Sequence, residues 1–188
     1  MSYALSIVSY RLAGIDCPDE GHEELKSMQN AKDSFYMALR ARLAALNPQR
    51  TILLRGTVRP GILVEEAEAP FNQLPSDVFV LRWLGMGIEL ELDSTMVAAE
   101  VEILYQSCGS QSFGGLDRGR SLSEMDRELV AMLQPSYTPK LNFTATPPAT
   151  MLTQVFWDEP ELAPIVSQRD QLSRSVKVMV YSYQEQGE

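Results

Sequence analysis

Apolar residues recur at helical spacing in one early stretch of the chain. They stand three or four positions apart between about Glu24 and Leu46, at Met28, Ala31, Phe35, Ala38, Leu39, Leu43 and Leu46. This spacing places them along one side of a helix, and Pro48 disfavours helical backbone in the residue before it. The pattern predicts an amphipathic helix that buries one stripe of its surface.

The middle of the chain alternates apolar with polar residues, which is typical of antiparallel strands with one covered face. In the clearest strand, residues 96–105, the positions on one side are Val97, Ala99, Val101, Ile103 and Tyr105. We expect further strands at 51–58, 61–69, 77–85, 87–93, 151–157 and 174–185, with a turn at Arg59–Gly61. The proline-rich stretch 134–150 is predicted to be irregular.

A second helix is predicted to begin at Ser121. In "SLSE" the Ser121 hydroxyl and the Glu124 carboxylate form a capping box, and Pro135 ends the helix. Its apolar stripe is Leu122, Met125, Leu129 and Met132 or Leu133. These elements predict an α+β fold, with a mostly antiparallel sheet and two main helices packed on one face. We divide the chain into an N-terminal extension, residues 1–25, and a single α+β domain, residues 26–188.

A glycine-rich loop joins the long strand to the second helix, which is the layout of a phosphate-binding loop. Gly109 and Gly114 have the spacing of that motif, but Gly115 and Leu116 stand where it needs Lys and Ser or Thr. Without the lysine charge and the metal-binding hydroxyl, we do not expect nucleotide binding. A loop of this composition suits contact with a protein partner. The residues that we predict for this contact are Gly109, Phe113, Gly114, Gly115, Arg118 and Arg120.

The composition argues against several other functions. The formal net charge is -9 and the 16 Lys and Arg residues are scattered, so we expect no sequence-specific nucleic-acid binding. With one histidine, His22, and two distant cysteines, Cys17 and Cys108, neither a zinc site nor a catalytic triad is expected. We therefore predict no enzyme activity, no cofactor and no metal. No secretion signal or long apolar stretch is visible, so we expect a cytosolic protein without a membrane segment.

Acidic residues cluster on the predicted strands. They are Glu65, Glu66, Glu68, Glu89, Glu91, Asp93, Glu100 and Glu102. Carboxylates can hold a metal or serve as an acid/base pair. Their alternation along strands favours a solvated acidic sheet face instead, and such a face repels DNA.

The order of elements resembles the tail terminator family of long-tailed bacteriophages, also called minor tail protein U-like. The resemblance is carried by the helix "FYMALRARLAAL", the strands "GILVEEAEAP" and "MVAAEVEILYQSC", the helix "SLSEMDRELVAML" and the final aromatic-ended strand "RSVKVMVYSYQE". It covers roughly Ala31 to Gln184. The N-terminal 25 residues and the long connection at 135–150 depart from the family pattern, and they also fit a related head–tail connector or tail-completion family.

The resemblance implies a phage or prophage structural protein that forms a ring, typically a hexamer, at the head-proximal end of the tail. Its partners would be copies of itself, the tail-tube protein and the head connector, in the bacterial host cytosol or in the virion. The Gly109–Arg120 loop and the segment Pro60–Pro70 would be natural contacts, and an acidic face would suit the DNA channel.

Two other interpretations remain. The first is a bacterial α+β domain, non-catalytic or binding a small molecule, with Arg118 and Arg120 as ligands for an anion; it includes a protein adapted from a phage ancestor. The second is an enzyme on the same fold.

Overall fold

The computed structural model describes residues 20–68, 74–91 and 94–185. Within these ranges the helices are α1 (Glu20–Leu46), α2 (Glu65–Glu68) and α3 (Arg118–Met132). The strands are β1 (Thr51–Leu54), β2 (Thr57–Pro60), β3 (Ile62–Val64), β4 (Phe79–Glu91), β5 (Ser94–Ser107), β6 (Ser136–Asn142), β7 (Ala149–Trp157), β8 (Glu161–Leu162), β9 (Val166–Gln168) and β10 (Gln171–Tyr183). Most of the predicted extension, residues 1–19, lies outside the described residues.

The main sheet has the strand order β3–β4–β5–β10–β7–β6, and the short strands β8 and β9 also pair with β10. Its described pairs are antiparallel except for β3 with β4. Strands β1 and β2 form a separate antiparallel hairpin. The protein therefore has the predicted α+β fold, with a mostly antiparallel sheet.

Both long helices cover the same face of this sheet. That face carries the alternating residues of β5 predicted from the sequence, and Val101 of β5 stands opposite Val178 of β10. From α1, the Phe35 ring meets Trp157 edge-on at 5.2 Å between centroids. From α3, the four buried residues Leu122, Met125, Leu129 and Met132 join the same core. We call the opposite side of the sheet the open face; the hairpin β1–β2 covers its β3 end, where Ile52 and Leu54 pack with the buried Leu63 and Val80.

The sheet curls around α1. Six strands laid flat span about 24 Å between their edges, whereas a helix with its side chains is roughly 10–12 Å wide. Yet one turn of α1 reaches both edges: the Tyr36 hydroxyl donates to the Ile62 carbonyl of β3 (3.3 Å), and the Leu141 N–H of β6 donates to Ser34 Oγ (2.9 Å). Helix α1 is thus the centre of the domain.

Strand β6 lies in the stretch that was predicted to be irregular, so that prediction is wrong for residues 136–142. Its pairing with β7 and its contacts with α1 outweigh the prolines. Besides the Ser34 contact, Asn30 Oδ1 accepts the Phe143 N–H (3.2 Å), and Pro139 has no N–H to satisfy. Side chains of α1 therefore satisfy the outer edge of β6.

Strand β4 runs without a break through residues predicted to form two separate strands. Pairing with β5 continues on both sides of Gly85 and Gly87, and a bulge between Trp83 and Gly85 absorbs one residue. A continuous partner strand thus overrides the strand-weakening effect of the glycines.

The first hairpin also turns at another place than predicted. The turn lies at Arg55 and Gly56, which have positive φ angles of 48° and 79°, and not at Arg59–Gly61. Residues 65–68 form α2 and not a strand. The described part of the segment Pro60–Pro70 therefore forms β3 and α2 and not a hairpin, and it contains the fully buried Ile62 and Leu63.

Both long helices begin earlier than predicted. Helix α1 begins at Glu20 and α3 at Arg118, so Ser121 lies inside the first turn of α3. The Ser121 hydroxyl donates to Asp77 Oδ1 (3.1 Å), which ties α3 to the segment before β4. The predicted capping box is thus wrong, because an interaction with a distant residue takes the serine.

Several carboxylates of the predicted acidic face are paired with basic residues. Glu65 accepts from Arg82 (2.6 Å), Arg82 also lies 3.8 Å from Glu102, and Lys177 binds Glu100 (2.7 Å). These carboxylates lie at the partly exposed surface as predicted, but basic partners from other strands neutralise part of the acidic face. The side chains of residues 89, 91 and 93 lie outside the described part.

Candidate interaction site

The loop between β5 and α3 is built around glycines in the left-handed region. Gly109, Gly114 and Gly115 have φ angles of 70°, 57° and 78°. Two of them also lack room for a side chain. A Cβ on Gly109 would stand 2.6 Å from Asp117 Oδ1, and a Cβ on Gly115 would stand 3.0 Å from the Cys108 carbonyl oxygen. The close packing of the loop on itself therefore requires glycine at these two positions.

Hydrogen bonds close this loop. The Ser110 N–H donates to Asp117 Oδ1 (2.9 Å), and the Gly115 N–H donates to the Ser110 carbonyl (3.1 Å). The amides of Gly114 and Leu116 donate to other carbonyls within the loop. The Ser110 hydrogen bond holds the pKa of the Asp117 carboxyl below its usual range, since it stabilises the charged form.

These hydrogen bonds argue against phosphate binding by the loop. A phosphate-binding loop presents free backbone N–H groups to the anion. Here the amides of Gly109, Ser110, Gly114 and Gly115 are all engaged, the first of them with Ser107 Oγ at 3.2 Å. The glycines serve the compactness of the loop, and they do not line an anion cradle.

Two large apolar side chains project from this closed loop. Phe113, a predicted contact residue, is 63% exposed, and Leu116 is 92% exposed. Sequence reasoning did not select Leu116, although an apolar residue between Gly115 and Asp117 in a polar loop is an available signal. Full burial of such a side chain contributes roughly 1.5–3 kcal/mol, so a partner that covers both gains substantially.

The two arginines lie at the start of α3. Arg118 is half-buried and its backbone nitrogen lies beside Gly109, whereas Arg120 is exposed. Arg120 is close enough to contribute to the lowered pKa of Asp117. The structure therefore gathers the predicted contact residues into one compact region, with Phe113 and Leu116 as its apolar part and Arg120 as a cationic neighbour.

A partly buried polar network holds the base of the loop. The Tyr105 hydroxyl donates to Asp126 Oδ1 (2.5 Å), and Arg174 donates to the other oxygen of the same carboxylate (2.6 Å). Burial and the Asp126 hydrogen bond both raise the pKa of Tyr105. Nearby, the Cys108 N–H donates to Ser76 Oγ (3.2 Å). The loop is thus mounted on fixed elements of the core.

An open groove lies beside the loop on the open face. Leu74, Gln106, Cys108, Arg169 and Asp170 are among its lining residues. The Cys108 thiol is free and exposed. Across the described part of the chain, no group of three or more His, Cys, Asp and Glu side chains is placed to hold a metal ion.

Comparison with known proteins gives no family for this chain. Its sequence matches no protein-family model and no curated protein. Among the helices of the described ranges, none combines the length and the apolar character needed to cross a bilayer.

Proposed function

We propose that this chain is a non-catalytic structural protein of a phage or prophage, which assembles with copies of itself through the Gly109–Arg120 loop. In the form that the family resemblance suggests, the assembly is a ring that caps the tail tube and joins it to the head connector. The ring acts in the host cytosol during assembly and then in the virion.

The observation that carries this proposal is the exposure of Phe113 and Leu116 on a closed, anchored loop. A rigid loop loses little conformational entropy when a partner covers it, so most of the burial energy is available for binding. Apolar anchors that project from a fixed base are typical of interface centres.

The layout of the domain also supports the tail terminator interpretation. The first long helix packs on the sheet, the alternating strand β5 leads through the loop into α3, and the last strand β10 ends in Tyr181 and Tyr183. This order agrees with the pattern on which the resemblance rests, except that residues 62–68 form β3 and α2 and not one strand. Fold alone specifies function weakly, so the loop surface carries the greater weight.

A second candidate function is small-molecule binding in the groove beside Cys108. The observation that favours it is the convergence of Gln106, Arg169 and Asp170 on one open depression. Melting temperatures measured with a panel of small anions, for the wild type and for Arg169→Gln, test it. A stabilisation that disappears in the variant supports binding, and the absence of any shift contradicts it.

The assembly proposal is tested by a charge placed on the loop. Because the Leu116 side chain is 92% exposed, Leu116→Glu places a charge on the surface of the loop without disturbing the fold of the subunit. We expect the variant to be a smaller multiple of the 21.0 kDa chain than the wild type at concentrations where the wild type is assembled, as measured by light scattering after size exclusion.

Leu152→Glu is the matched control, because Leu152 is 96% exposed on β7 and does not belong to the loop. It should assemble like the wild type. If both variants have the wild-type mass at every concentration, the loop does not carry the contact and the proposal is wrong.

A further inference from the structure

A long edge of the main sheet has no partner strand within the described part of the chain. Strand β3 pairs only with residues 79–81 of β4, while β5 occupies the other side of β4 along its whole length. The outer side of β4 from Arg82 to Glu91 is therefore unpaired, and an unpaired strand edge is a template for another strand.

From Gly85 onward this edge has few of the features that prevent pairing. It contains no proline or lysine, and Met86 and Ile88 are 50% and 46% exposed, while the bulge beside Leu84 and the salt-bridged Arg82 lie at its first end. The opposite edge of the sheet shows the contrast. There Pro139 interrupts the donors of β6, and α1 satisfies the amides of Leu141 and Phe143. The β6 edge of the sheet is therefore protected from pairing, whereas the β4 edge is free.

The two glycines of β4 also favour a contact with another chain at this edge. A Cβ added at Gly85 or Gly87 would meet no atom within 4 Å, and neither residue has a positive φ. The fold of the single chain therefore does not require glycine at either position. Glycine inside a strand weakens it and often marks a site where another backbone approaches closely.

We propose that β4 pairs antiparallel with β4 of a second copy, about a two-fold axis at Met86. Among the described strands, β4 offers the longest free edge. Strands β1 and β2 have four residues each, β8 and β9 have two and three, β7 lacks a strand partner on its β10 side only at residues 149–154, and the outer edge of β6 is closed. Antiparallel pairing of one strand with its own copy is the two-fold arrangement that symmetric dimers use.

The sequence of β4 is complementary to itself in this direction. With the bulge residue Leu84 left out of the count, the register places Trp83 beside Ile88 and Gly85 beside Gly87. An aromatic and a β-branched residue are favourable cross-strand neighbours. A parallel pairing in register would instead place Arg82 beside Arg82 of the second copy.

This contact does not rest on the proposed function, because it uses another surface. Residues 85–91 of β4 pair with residues 94–100 of β5, whereas the Gly109–Arg120 loop follows the other end of β5, about 23 Å away along the strand.

Disulfide trapping tests the pairing. In a full-length chain with Cys17→Ser and Cys108→Ser, the substitution Met86→Cys puts a thiol on the proposed axis. Opposite residues of antiparallel strands have Cα atoms about 4.5–5.5 Å apart, which suits a disulfide. Under mild oxidation we expect most of the protein to become a covalent dimer on a non-reducing gel, at least tenfold faster than with Leu152→Cys in the same background.

Cross-linking of Met86→Cys at the rate of Leu152→Cys overturns the inference. A second variant, Met86→Lys with Ile88→Lys, tests the pairing without thiol chemistry. Two lysines on the edge should abolish the β4 dimer, which light scattering detects as a lower molar mass. A molar mass unchanged from the wild type also overturns the inference. The two proposals fail separately. If Leu116→Glu still dissociates the assembly while Met86→Cys does not cross-link, only the β4 contact is wrong.

Discussion

Gly109→Ala provides the sharpest test of how the loop is built, with Gly114→Ala as its matched control. Both glycines have positive φ, at 70° and 57°. At Gly109 the added methyl would stand 2.6 Å from Asp117 Oδ1 and 2.8 Å from the Arg118 backbone nitrogen, whereas at Gly114 it would meet nothing within 4 Å. The carboxylate can rotate away only by leaving the Ser110 amide, and the backbone nitrogen moves only with the start of α3.

The expected magnitudes follow from these distances. An L-residue in the left-handed region costs roughly 1–2 kcal/mol, and both variants share this cost. Forcing a methyl into filled space adds about 1–3 kcal/mol, and only Gly109→Ala incurs this addition. We therefore expect a loss of unfolding free energy of about 1 kcal/mol for Gly114→Ala and about 3 kcal/mol for Gly109→Ala.

Urea denaturation of both variants measures this difference. With a slope of roughly 2 kcal/mol per molar urea, the two midpoints should differ by about 1 M. Hydrogen exchange adds a local readout, because the Ser110 amide should lose protection in Gly109→Ala and keep it in Gly114→Ala. Equal midpoints together with equal Ser110 exchange would refute the close packing that we derive for this loop.

Two further predictions concern groups around the loop. Tyr105→Phe removes a partly buried hydrogen bond to the Asp126 carboxylate, so we expect a loss of about 1.5–3 kcal/mol of unfolding free energy by urea denaturation; a loss below about 0.5 kcal/mol would show that this bond does not support the loop base. The pKa of Asp117 is lower in the folded protein than in the unfolded chain, where it is about 3.9. The stabilisation of the fold by the charged carboxylate is therefore fully present above the unfolded pKa and is lost as the pH falls through the folded pKa. Protection of the Ser110 amide should accordingly fall below about pH 4 in the wild type and show no such step in Asp117→Asn; a step of the same size in both would assign the effect to another group.

The sequence predicted the elements whose own residues show a clear period. The stripe of α3 and the alternating residues of β5 became buried faces, and so did the stripe of α1 except at its end, where Leu46 is 51% exposed. Strand β6 could not be predicted in this way. Its outer amides donate to Asn30 and Ser34, which lie more than one hundred residues earlier in the chain. The local proline content does not indicate such distant partners.

The candidate site was predicted in part. Glycine spacing drew attention to the loop, but the reason for Gly109 is a contact with Asp117 that only the folded chain shows. Leu116 was missed because an isolated leucine in a sequence is expected to be buried. Likewise, the break predicted at Gly85 and Gly87 concealed the long free edge of β4, which exists only because β5 continues beside both glycines.

The most direct test of the account is the molar mass of the wild-type chain, measured by light scattering from low micromolar to near-millimolar concentration. We expect one discrete closed species whose population increases with concentration, with a mass close to six times 21.0 kDa for the expected ring. A mass of 21.0 kDa at every concentration would contradict the claim that this protein assembles with itself.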